Sequence, residues 1–391
     1  MMTDLAPSLS ALDSPPPPQC QGWVSHFYSN FYTVHTPWGE LTCHTRAILK
    51  KQGQSVLSGD VVTVVAIDWH TRTGWIKSIL PRHNQLERPS VANVDGVLLV
   101  MACQQPALST LALDKLLTNA HRHGVKPLLL LTKADLLTDT PEAETILATA
   151  QRYQALGIPT WLASNLPQTE APLATPNVWQ HVAQQLQGQR WVLAGPSGVG
   201  KSSLLNRLAP ALACGVGEVS AKLARGQHTT RHVRWLQVEL ATYLGSAGTC
   251  WLADTPGFSL LSMAGVAPAD LEQSFTEFAA HKAQCAFADC LHEAPPPSDG
   301  DEVKEADTDD TPPACGVRMA LANGAIDTDR YANYLAMLAE AQASPPVAGM
   351  PLPAVQHAQL GQRHRATSRR RSKQDLASYQ NDDEPDDDDT A

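Results

Sequence analysis

The sequence predicts a multidomain protein with a small β-barrel, a central α/β domain and a C-terminal helical module. Between residues 21 and 88, five short β-rich runs separated by turns indicate a small closed barrel. From residue 89 to 264, apolar strands alternate with helical stretches, which is typical of a mostly parallel sheet covered by helices. From residue 265 to 345, short helices surround several Cys and His residues. The 391 residues suffice for two or three separate cores.

The strands and helices are predicted from short periodic runs. Barrel strands are expected at residues 22–24, 31–35, 41–46, 60–67 and 73–79. Sheet strands are expected at residues 97–101, 128–131, 191–194, 235–240 and 251–253. Helices are expected at residues 111–122, 141–156, 201–208 and 328–342. Ligands of such α/β sheets bind beyond the carboxyl ends of the strands, so motifs at those ends are candidates for a functional site.

Three segments fall outside this globular pattern. Residues 1–20 are expected to be a disordered extension, 294–313 an acidic, Pro-rich insert, and 346–391 a tail that is first basic and then acidic. The formal charge of −10 comes from the acidic runs, because seven acidic residues lie in 299–310 and seven more in 382–389. The remainder is slightly basic, which permits an anionic partner. The basic run at 362–373 suits RNA phosphates, although a solvated tail is the alternative.

Membrane insertion and secretion are not expected. The apolar runs are far shorter than the ~20 residues that span a bilayer. The N-terminus has no basic residue before an apolar run, unlike a secretory signal. We therefore expect a cytoplasmic monomer without membrane contact. Five scattered cysteines are expected to be ordinary core or surface residues: Cys20, Cys43, Cys103, Cys214 and Cys250.

A phosphate-binding loop is predicted between the strand at 191–194 and the helix at 201–208. Its residues GPSGVGKS match G-x-x-x-x-G-K-[ST]. In this pattern, backbone N–H groups and the helix dipole bind phosphates. Lys201 reaches the β- and γ-phosphates, and the Ser202 hydroxyl ligates Mg²⁺. The predicted binding residues are Gly195, Pro196, Ser197, Gly198, Val199, Gly200, Lys201, Ser202 and Ser203.

Two further elements are expected around the γ-phosphate. Asp254-Thr-Pro-Gly257 follows the strand at 251–253, so Asp254 can hold the Mg²⁺ shell and Gly257 can offer its N–H. Between this turn and the phosphate loop, residues 224–231 read ARGQHTTR. A hydroxyl from this segment would complete the Mg²⁺ coordination. Thr230 is the first choice and Thr229 the second.

A guanine-binding element is predicted at Thr132-Lys-Ala-Asp135, which follows the strand at 128–131 and resembles the N-K-x-D motif. The Asp135 carboxylate accepts from N1–H and the 2-amino group of guanine. Adenine offers neither donor, so ATP is disfavoured. Lys133 can lie along the ring, with Ala134 between them. Because Thr132 stands where Asn is usual, one contact is expected to be weakened or rearranged.

The order of these motifs is circularly permuted. In ordinary GTPases the guanine motif follows the phosphate loop and the switches, whereas here Asp135 precedes Lys201, Thr230 and Asp254. The segment after Gly257 therefore leads directly into the C-terminal module. We hypothesise that nucleotide state moves that module relative to the barrel.

A metal site is predicted in the C-terminal module. Cys285-x4-Cys290-x-His292 supplies three ligands within eight residues, and Cys315 can supply the fourth. Cys₃His is a closed, tetrahedral structural zinc set. The long insert before Cys315 costs about 1 kcal/mol of loop closure, against ~10 kcal/mol or more for zinc binding. One structural zinc per chain is expected.

With these motifs in place, the sequence resembles the small ribosomal subunit biogenesis GTPases, also called ribosome small subunit-dependent GTPase A, over about residues 22–340. Besides the motifs above, the resemblance rests on Arg88-Pro89, Ala92-Asn-Val-Asp95, Gly226-Gln-His-Thr-Thr230, Phe258, and Arg330-Tyr331 with Tyr334-Leu335. It implies an N-terminal OB-fold β-barrel, a central circularly permuted α/β P-loop GTPase domain and a C-terminal helical zinc-binding domain. It also implies GTP hydrolysis stimulated by the small ribosomal subunit and its rRNA during late maturation.

The resemblance assigns two further roles. A hydrophobic residue replaces the Gln that usually positions the attacking water, and Phe258 fits that position. His228 then becomes the candidate for positioning the water, beside Lys201 and Thr230 as catalytic residues. A loop that contacts guanine through its backbone is expected near Ala163 and Ser164. In this family the fourth Cys follows the His by about six residues, so the insert before Cys315 is a departure.

Three other functions remain open. A permuted GTPase acting on the large subunit is disfavoured by the barrel and the Cys₃His cluster. A P-loop ATPase or small-molecule kinase is disfavoured by the guanine motif. A nucleotide-gated RNA-binding scaffold with negligible turnover would share every motif.

Overall fold

The N-terminal part of the chain is a closed five-stranded barrel. The computed structural model describes residues 16–46, 49, 51–87, 90–167, 169–210, 233–254, 262–293 and 314–343, without the side chains of Arg234 and Asp254. The barrel strands are β1 (Gln19–Tyr28), β2 (Phe31–Thr36), β3 (Gly39–Thr45), β4 (Val61–Asp68) and β5 (Thr73–Ile79). They pair in the order β1-β2-β3-β5-β4, and β3 runs parallel to β5. This arrangement confirms the predicted OB-fold.

The barrel interior follows the alternation of the strands. Side chains that point inward are almost fully buried, whereas their neighbours face solvent. The interior contains Val24, Val34, Leu41, Cys43, Val62, Val64 and Ile76. The barrel begins at Gln19, two residues before the predicted boundary at 21. Gln19 and Cys20 belong to it because they extend the pairing of β1 with β4.

The centre of the molecule is a six-stranded sheet. Its strands are β8 (Gly96–Ala102), β9 (Lys126–Thr132), β10 (Thr160–Leu162), β11 (Arg190–Ala194), β12 (Arg234–Glu239) and β13 (Thr249–Asp254). They lie in the order β10-β9-β8-β11-β13-β12, and β12 alone is antiparallel to its neighbour. A short hairpin, β6 (Gln85–Glu87) and β7 (Ser90–Ala92), precedes the sheet. The mostly parallel sheet is confirmed.

Helices cover both faces of the sheet and form the C-terminal module. Those beside the sheet are α1 (Thr110–Arg122), α2 (Glu142–Ala155), α3 (Val178–Leu186), α4 (Lys201–Leu208) and α5 (Ala241–Leu244). Those of the module are α6 (Pro268–Ser274), α7 (Ala279–Lys282), α8 (Gly316–Ala322) and α9 (Thr328–Ala343). The four predicted helices are present as α1, α2, α4 and α9. Within the described ranges, no helix is both long and apolar enough to cross a membrane.

An aromatic cluster joins the barrel to the sheet. Trp23 of β1 stacks on His35 of β2 at 5.0 Å and contacts the ring of Trp251 in β13 at 4.6 Å. The guanidinium of Arg190 lies over the same Trp23 ring at 5.7 Å. The Ser58 hydroxyl lies 3.0 Å from the carbonyl oxygen of Val233. The barrel is therefore packed directly against the β13–β12 edge of the sheet.

A buried polar cluster joins the C-terminal module to α1. The Arg330 guanidinium, at the start of α9, donates to Asp114 of α1 and to both carboxylate oxygens of Glu277, at 2.7 and 3.1 Å. Tyr153 and Asn333 also donate to Asp114, each at 2.7 Å. Asp114 is 0% exposed and Arg330 4%. Burial raises the pKa of Asp114, whereas Arg330 and the other donors lower it.

Candidate functional site

The phosphate loop leaves β11 and enters α4, as the sequence predicts. Gly195 has φ +149°, and a Cβ there would lie 2.0 Å from the carbonyl oxygen of Val100 in β8. Gly200 caps α4 with φ +98°. Glycine is therefore required both where the loop crosses β8 and where it turns into the helix. The loop brings its backbone to the N-terminus of α4, where N–H groups and the helix dipole favour an anion.

The side chains of the loop lie close to its backbone. The Lys201 ammonium donates to the carbonyl oxygens of Gly195 and Pro196, at 2.8 and 2.7 Å, so it folds back along the loop. Ser202 and Ser203 lie in the first turn of α4 and are half-buried. Ser197 and Gly198 are exposed, and Val199 is buried beneath them. This arrangement presents one cation and two hydroxyls beside an open loop.

Thr132 connects the guanine motif to the phosphate loop. Its hydroxyl oxygen lies 2.5 Å from the carbonyl oxygen of Val199 and 3.1 Å from that of Met101. With a single proton, the hydroxyl donates to the nearer Val199. The residue is buried, at 8% exposure. Thr132 therefore faces the loop backbone and links the guanine motif to the phosphate loop.

Asp135 is held by the third predicted loop. The Ser164 hydroxyl donates to Oδ1 of Asp135 at 2.6 Å, and it also accepts from the N–H of Leu166. The backbone N–H of Ala134 donates to the carbonyl oxygen of Ala163 at 3.1 Å. The structure thus brings Ala163 and Ser164 to the guanine motif. An ionised carboxylate accepts about four hydrogen bonds, so Asp135 can serve Ser164 and two donors of guanine together.

The loop between β8 and α1 contributes contacts that sequence reasoning missed. Lys133 has a left-handed backbone, with φ +58°, and its ammonium donates to the carbonyl oxygen of Gln105. A Cβ at Gly198 would lie 3.8 Å from Cδ of Pro106. The position of this loop could have indicated these contacts. It leaves the carboxyl end of β8, which lies between the strands β9 and β11 that precede the two motifs.

Asp254 lies at the same edge of the sheet. It is the last residue of β13 and pairs in register with Leu193 of β11, one residue before the end of that strand. Its backbone is therefore adjacent to the start of the phosphate loop. The other predicted residues near the γ-phosphate lie outside the described residues: His228, Thr229, Thr230, Gly257 and Phe258.

The four predicted metal ligands come together in the C-terminal module. Their ligand atoms all lie within 4.8 Å of one another: Cys285, Cys290, His292 and Cys315. Sγ of Cys315 is 4.0 and 3.9 Å from the other two sulfurs and 3.5 Å from Nδ1 of the histidine. Tetrahedral zinc with Zn–S bonds of about 2.3 Å places its ligand sulfurs roughly 3.8 Å apart. The donor set and spacing therefore fit a structural metal such as zinc.

The ligand histidine is oriented by its surroundings. Nε2 of His292, on the far side of the ring from the sulfurs, lies 3.3 Å from Oε1 of Glu272. Lys282 donates to the other oxygen of that carboxylate at 2.5 Å. The Tyr331 hydroxyl donates to the His292 carbonyl at 2.5 Å. Metal-binding histidines commonly pair with a carboxylate in this way. Glu272, which lies in α6, had no sequence signal.

The chain matches a protein-family model and relatives that carry the same name. Residues 79–264 match the family described as RsgA GTPase. The chain is 34% identical over 322 residues to "Small ribosomal subunit biogenesis GTPase RsgA" of Shouchella clausii, covering 82% of this chain and 97% of that one. It is 36% identical over 321 residues to the protein of the same name from Carboxydothermus hydrogenoformans, with the same coverage.

Two solved structures resemble most of the chain. YjeQ from Thermotoga maritima matches with a TM-score of 0.63 and 29% identity, covering 82% of this chain and 98% of that chain. YloQ, described as a circularly permuted GTPase, matches with a TM-score of 0.63 and 28% identity, covering 84% and 97%. The permuted order of motifs and the arrangement of barrel, sheet and helical module therefore have counterparts in solved proteins.

Proposed function

The chain belongs to the RsgA GTPase family of small ribosomal subunit biogenesis GTPases, and we propose that it hydrolyses GTP on the small ribosomal subunit and assists the late maturation of that subunit. The observation that carries this proposal is the linkage of the nucleotide-site elements. Thr132 connects the guanine motif to the phosphate loop, and Ser164 connects the third loop to Asp135. These contacts hold the two ends of a nucleotide site at a fixed separation.

GTP binding divides between the two ends of that site. Asp135 accepts from guanine, Lys133 lies along the ring, and the backbone at Ala163 meets the base. The phosphates lie against the loop from Gly195 to Gly200, with Lys201 turning from its backbone contacts to the β- and γ-phosphates. Such a site rejects adenine. Adenine lacks the N1–H and 2-amino donors of guanine, so the Asp135 carboxylate would be left without hydrogen bonds from the base.

Hydrolysis requires positioned charge and a positioned water. When bound, Mg²⁺ supplies positive charge to the β- and γ-phosphate oxygens. Ser202 and Thr230 would ligate it, and Asp254 would hold its shell. Gly257 offers its N–H to the γ-phosphate, and His228 orients the attacking water in place of a Gln. The small subunit is expected to stimulate hydrolysis by bringing His228 to the γ-phosphate, so the free protein is expected to be slow.

The C-terminal module carries one structural zinc. Cys285, Cys290, His292 and Cys315 would hold it, and its role would be structural, because four protein ligands leave no open coordination position. The Glu272 carboxylate fixes the ring of His292. A metal held by these four residues would link His292 to Cys315, which the insert separates in sequence.

Nucleotide state is expected to control binding to the subunit. Residues 211–232 and 255–261 carry the predicted γ-phosphate motifs and lie outside the described residues, whereas the residues that follow each of them contact a neighbouring module. Val233 meets Ser58 of the barrel, and the N–H of Met263 donates to Glu340 of α9 at 2.9 Å. These anchors support the hypothesis that the GTP and GDP states differ in the spacing of barrel and C-terminal module. Solution scattering that gives one spacing in both states would contradict it.

The remaining assignments follow from this function. The partners are GTP and GDP, the small ribosomal subunit and its rRNA, and the protein acts in the cytoplasm as a monomer. The proposed domains are an OB-fold at 21–88, a GTPase domain at 89–264 and a zinc-binding domain at 265–345. The basic run at 362–373, which lies outside the described residues, is proposed to add phosphate contacts.

Hydrolysis of GTP and ATP, each measured alone and with either ribosomal subunit, tests this proposal. We expect GTP hydrolysis to rise with the small subunit and ATP hydrolysis to remain negligible. Stimulation by the large subunit alone would assign the protein to that particle. Preferred ATP turnover would identify an ATPase, and absent turnover with intact RNA binding would identify a scaffold.

A further inference from the structure

A run of four prolines at residues 15–18 precedes the first strand of the barrel. Proline fixes φ at about −65° and has no N–H, so consecutive prolines favour the extended polyproline II helix, which has no internal hydrogen bonds. Residues 15–18 are called the proline run below, and the structure describes the run from Pro16 onward. The run therefore reaches the barrel as a stiff segment whose carbonyl oxygens need donors from elsewhere.

The pairing of β1 with β4 gives way to a side-chain contact at the proline run. The Pro18 carbonyl still accepts from the N–H of Ile67, at 3.5 Å, which adds one bond beyond the strand pairing. One residue earlier, the Pro17 carbonyl accepts from Nε1 of Trp69 at 2.9 Å. Because the prolines have no N–H to donate in return, the ladder cannot continue along the run. The indole of Trp69 therefore takes the place of a neighbouring strand.

Trp69 belongs to a pair of tryptophans at this end of the barrel. Trp38, in the turn between β2 and β3, meets Trp69, in the turn between β4 and β5, with ring centroids 6.1 Å apart. Both rings pack against the barrel core but remain half-buried. These two residues are called the tryptophan pair below. Arg72 ties the two turns together, because its guanidinium lies 5.9 Å from the Trp69 ring centre and donates to the Trp38 carbonyl at 2.8 Å.

We propose that the tryptophan pair is a polyproline-binding surface, which the chain's own proline run occupies. Polyproline segments dock on aromatic-lined surfaces because their stiff helix loses little conformational entropy on binding. Pro17 is half-buried, whereas Pro16 and Pro18 are exposed, as expected when a stiff run lies with one side on a surface. A proline-rich segment of another protein would use the same indole N–H, so it has to displace the run first. The run is therefore an intramolecular competitor for this surface.

Nuclear magnetic resonance of the indole N–H groups in the full-length, ¹⁵N-labelled protein tests this proposal. Each of the nine tryptophans gives one indole signal, and the signal that disappears in Trp69→Phe is that of Trp69. A second variant keeps the chain length but lacks the stiff helix, because it combines Pro15→Ser, Pro16→Ser, Pro17→Ser and Pro18→Ser. We expect the Trp69 signal to shift in this serine variant, because its acceptor is no longer held in place. The indole signals outside the tryptophan pair should stay unchanged, which shows that the variant is folded.

A synthetic peptide of residues 12–19 is then added to each protein at millimolar concentration. In the serine variant, the peptide should return the Trp69 signal to its wild-type position. In the wild-type protein it should change nothing, because the attached run competes at an effective concentration of about millimolar or higher. A peptide with alanine in place of the four prolines is the matched control and should leave the shifted signal where it is. Trp75, which is 45% exposed on the same barrel, is the control ring and should respond to neither peptide.

Two results would overturn the proposal. A Trp69 signal at the same position in the wild-type protein and the serine variant would show that the proline run does not occupy the tryptophan pair. A proline peptide that moves the Trp69 signal of the serine variant no more than the alanine peptide does would show that the pair does not recognise polyproline. These measurements need neither nucleotide nor ribosomes, so their outcome is independent of the proposed function.

Discussion

Replacement of Arg330 by Met removes the cation at the centre of the buried polar cluster that joins α9 to α1. Arg330 bonds Asp114 and Glu277, and its guanidinium also lies 4.2 Å from the ring centre of Phe275. Met retains part of the apolar packing, but among the described residues it leaves the Asp114 carboxylate, which is 0% exposed, with Tyr153 and Asn333 as its donors. Breaking a buried ion pair from one side costs about 3–5 kcal/mol. We expect a loss of unfolding free energy in that range.

The loss should depend on pH in a defined direction. Burial already raises the pKa of Asp114 above its ordinary value, and Arg330 is the largest influence that lowers it. Without Arg330 the folded pKa rises further above the unfolded value of about 4. A carboxyl with a raised folded pKa gives its full stability contribution below the unfolded pKa and loses it as the pH rises through the folded pKa. The deficit of Arg330→Met should therefore be smallest near pH 4 and grow toward neutral pH.

Chemical denaturation of the zinc-loaded protein at several pH values measures this. The control is Arg122→Met, whose ion pair with Asp270 is 3.9 Å long and partly exposed, and which should cost at most about 1 kcal/mol. The double variant Arg330→Met with Asp114→Asn should recover part of the lost free energy of unfolding, because position 114 then carries no buried carboxylate. If Arg330→Met lowers the free energy of unfolding no more than the control does at every pH, the role assigned to this polar cluster is wrong.

Three further predictions concern the sites. Asp135→Asn should shift preference from GTP to xanthosine triphosphate in nucleotide competition, and unchanged GTP preference would remove Asp135 from the guanine site. Cys315→Ser should lose the bound zinc in metal analysis, whereas Cys20→Ser, at the same 7% exposure, should retain it; full zinc in both would place the fourth ligand elsewhere. His228→Ala should keep GTP affinity but lower the subunit-stimulated single-turnover rate by ~10²–10⁴-fold. A loss of less than about threefold, far short of that range, would make His228 an ordinary surface residue.

The sequence predicted most of the architecture because its signals were local. Five alternating runs predicted the barrel, and Gly195 and Gly200 stand where the backbone allows only glycine. The strand at Thr160–Leu162 was missed because three residues carry no periodicity. The helix at Val178–Leu186 was also missed. Cys315 joins the metal site despite the long insert before it, as expected because closing a longer loop costs little free energy.

The contacts that hold the sites together were not predictable from sequence. The bond from Thr132 to Val199 joins residues 67 positions apart, and the one from Asn333 to Asp114 joins residues 219 positions apart. Glu272 reaches His292 from a helix that carries no motif. Such pairs depend on how the strands and helices pack, and a Thr or Glu has the same local signal whether it is solvated or buried.

Binding to the small ribosomal subunit in defined nucleotide states tests the central claim most directly. Zinc-loaded, full-length protein is sedimented with purified small subunits in GDP and in a non-hydrolysable GTP analogue. The Asp135→Asn variant serves as a control, because it should no longer distinguish the two guanine nucleotides. We predict strong retention with the GTP analogue and weak retention with GDP. Equal retention in both states, or retention by the large subunit instead, would contradict a GTPase that acts on the small subunit.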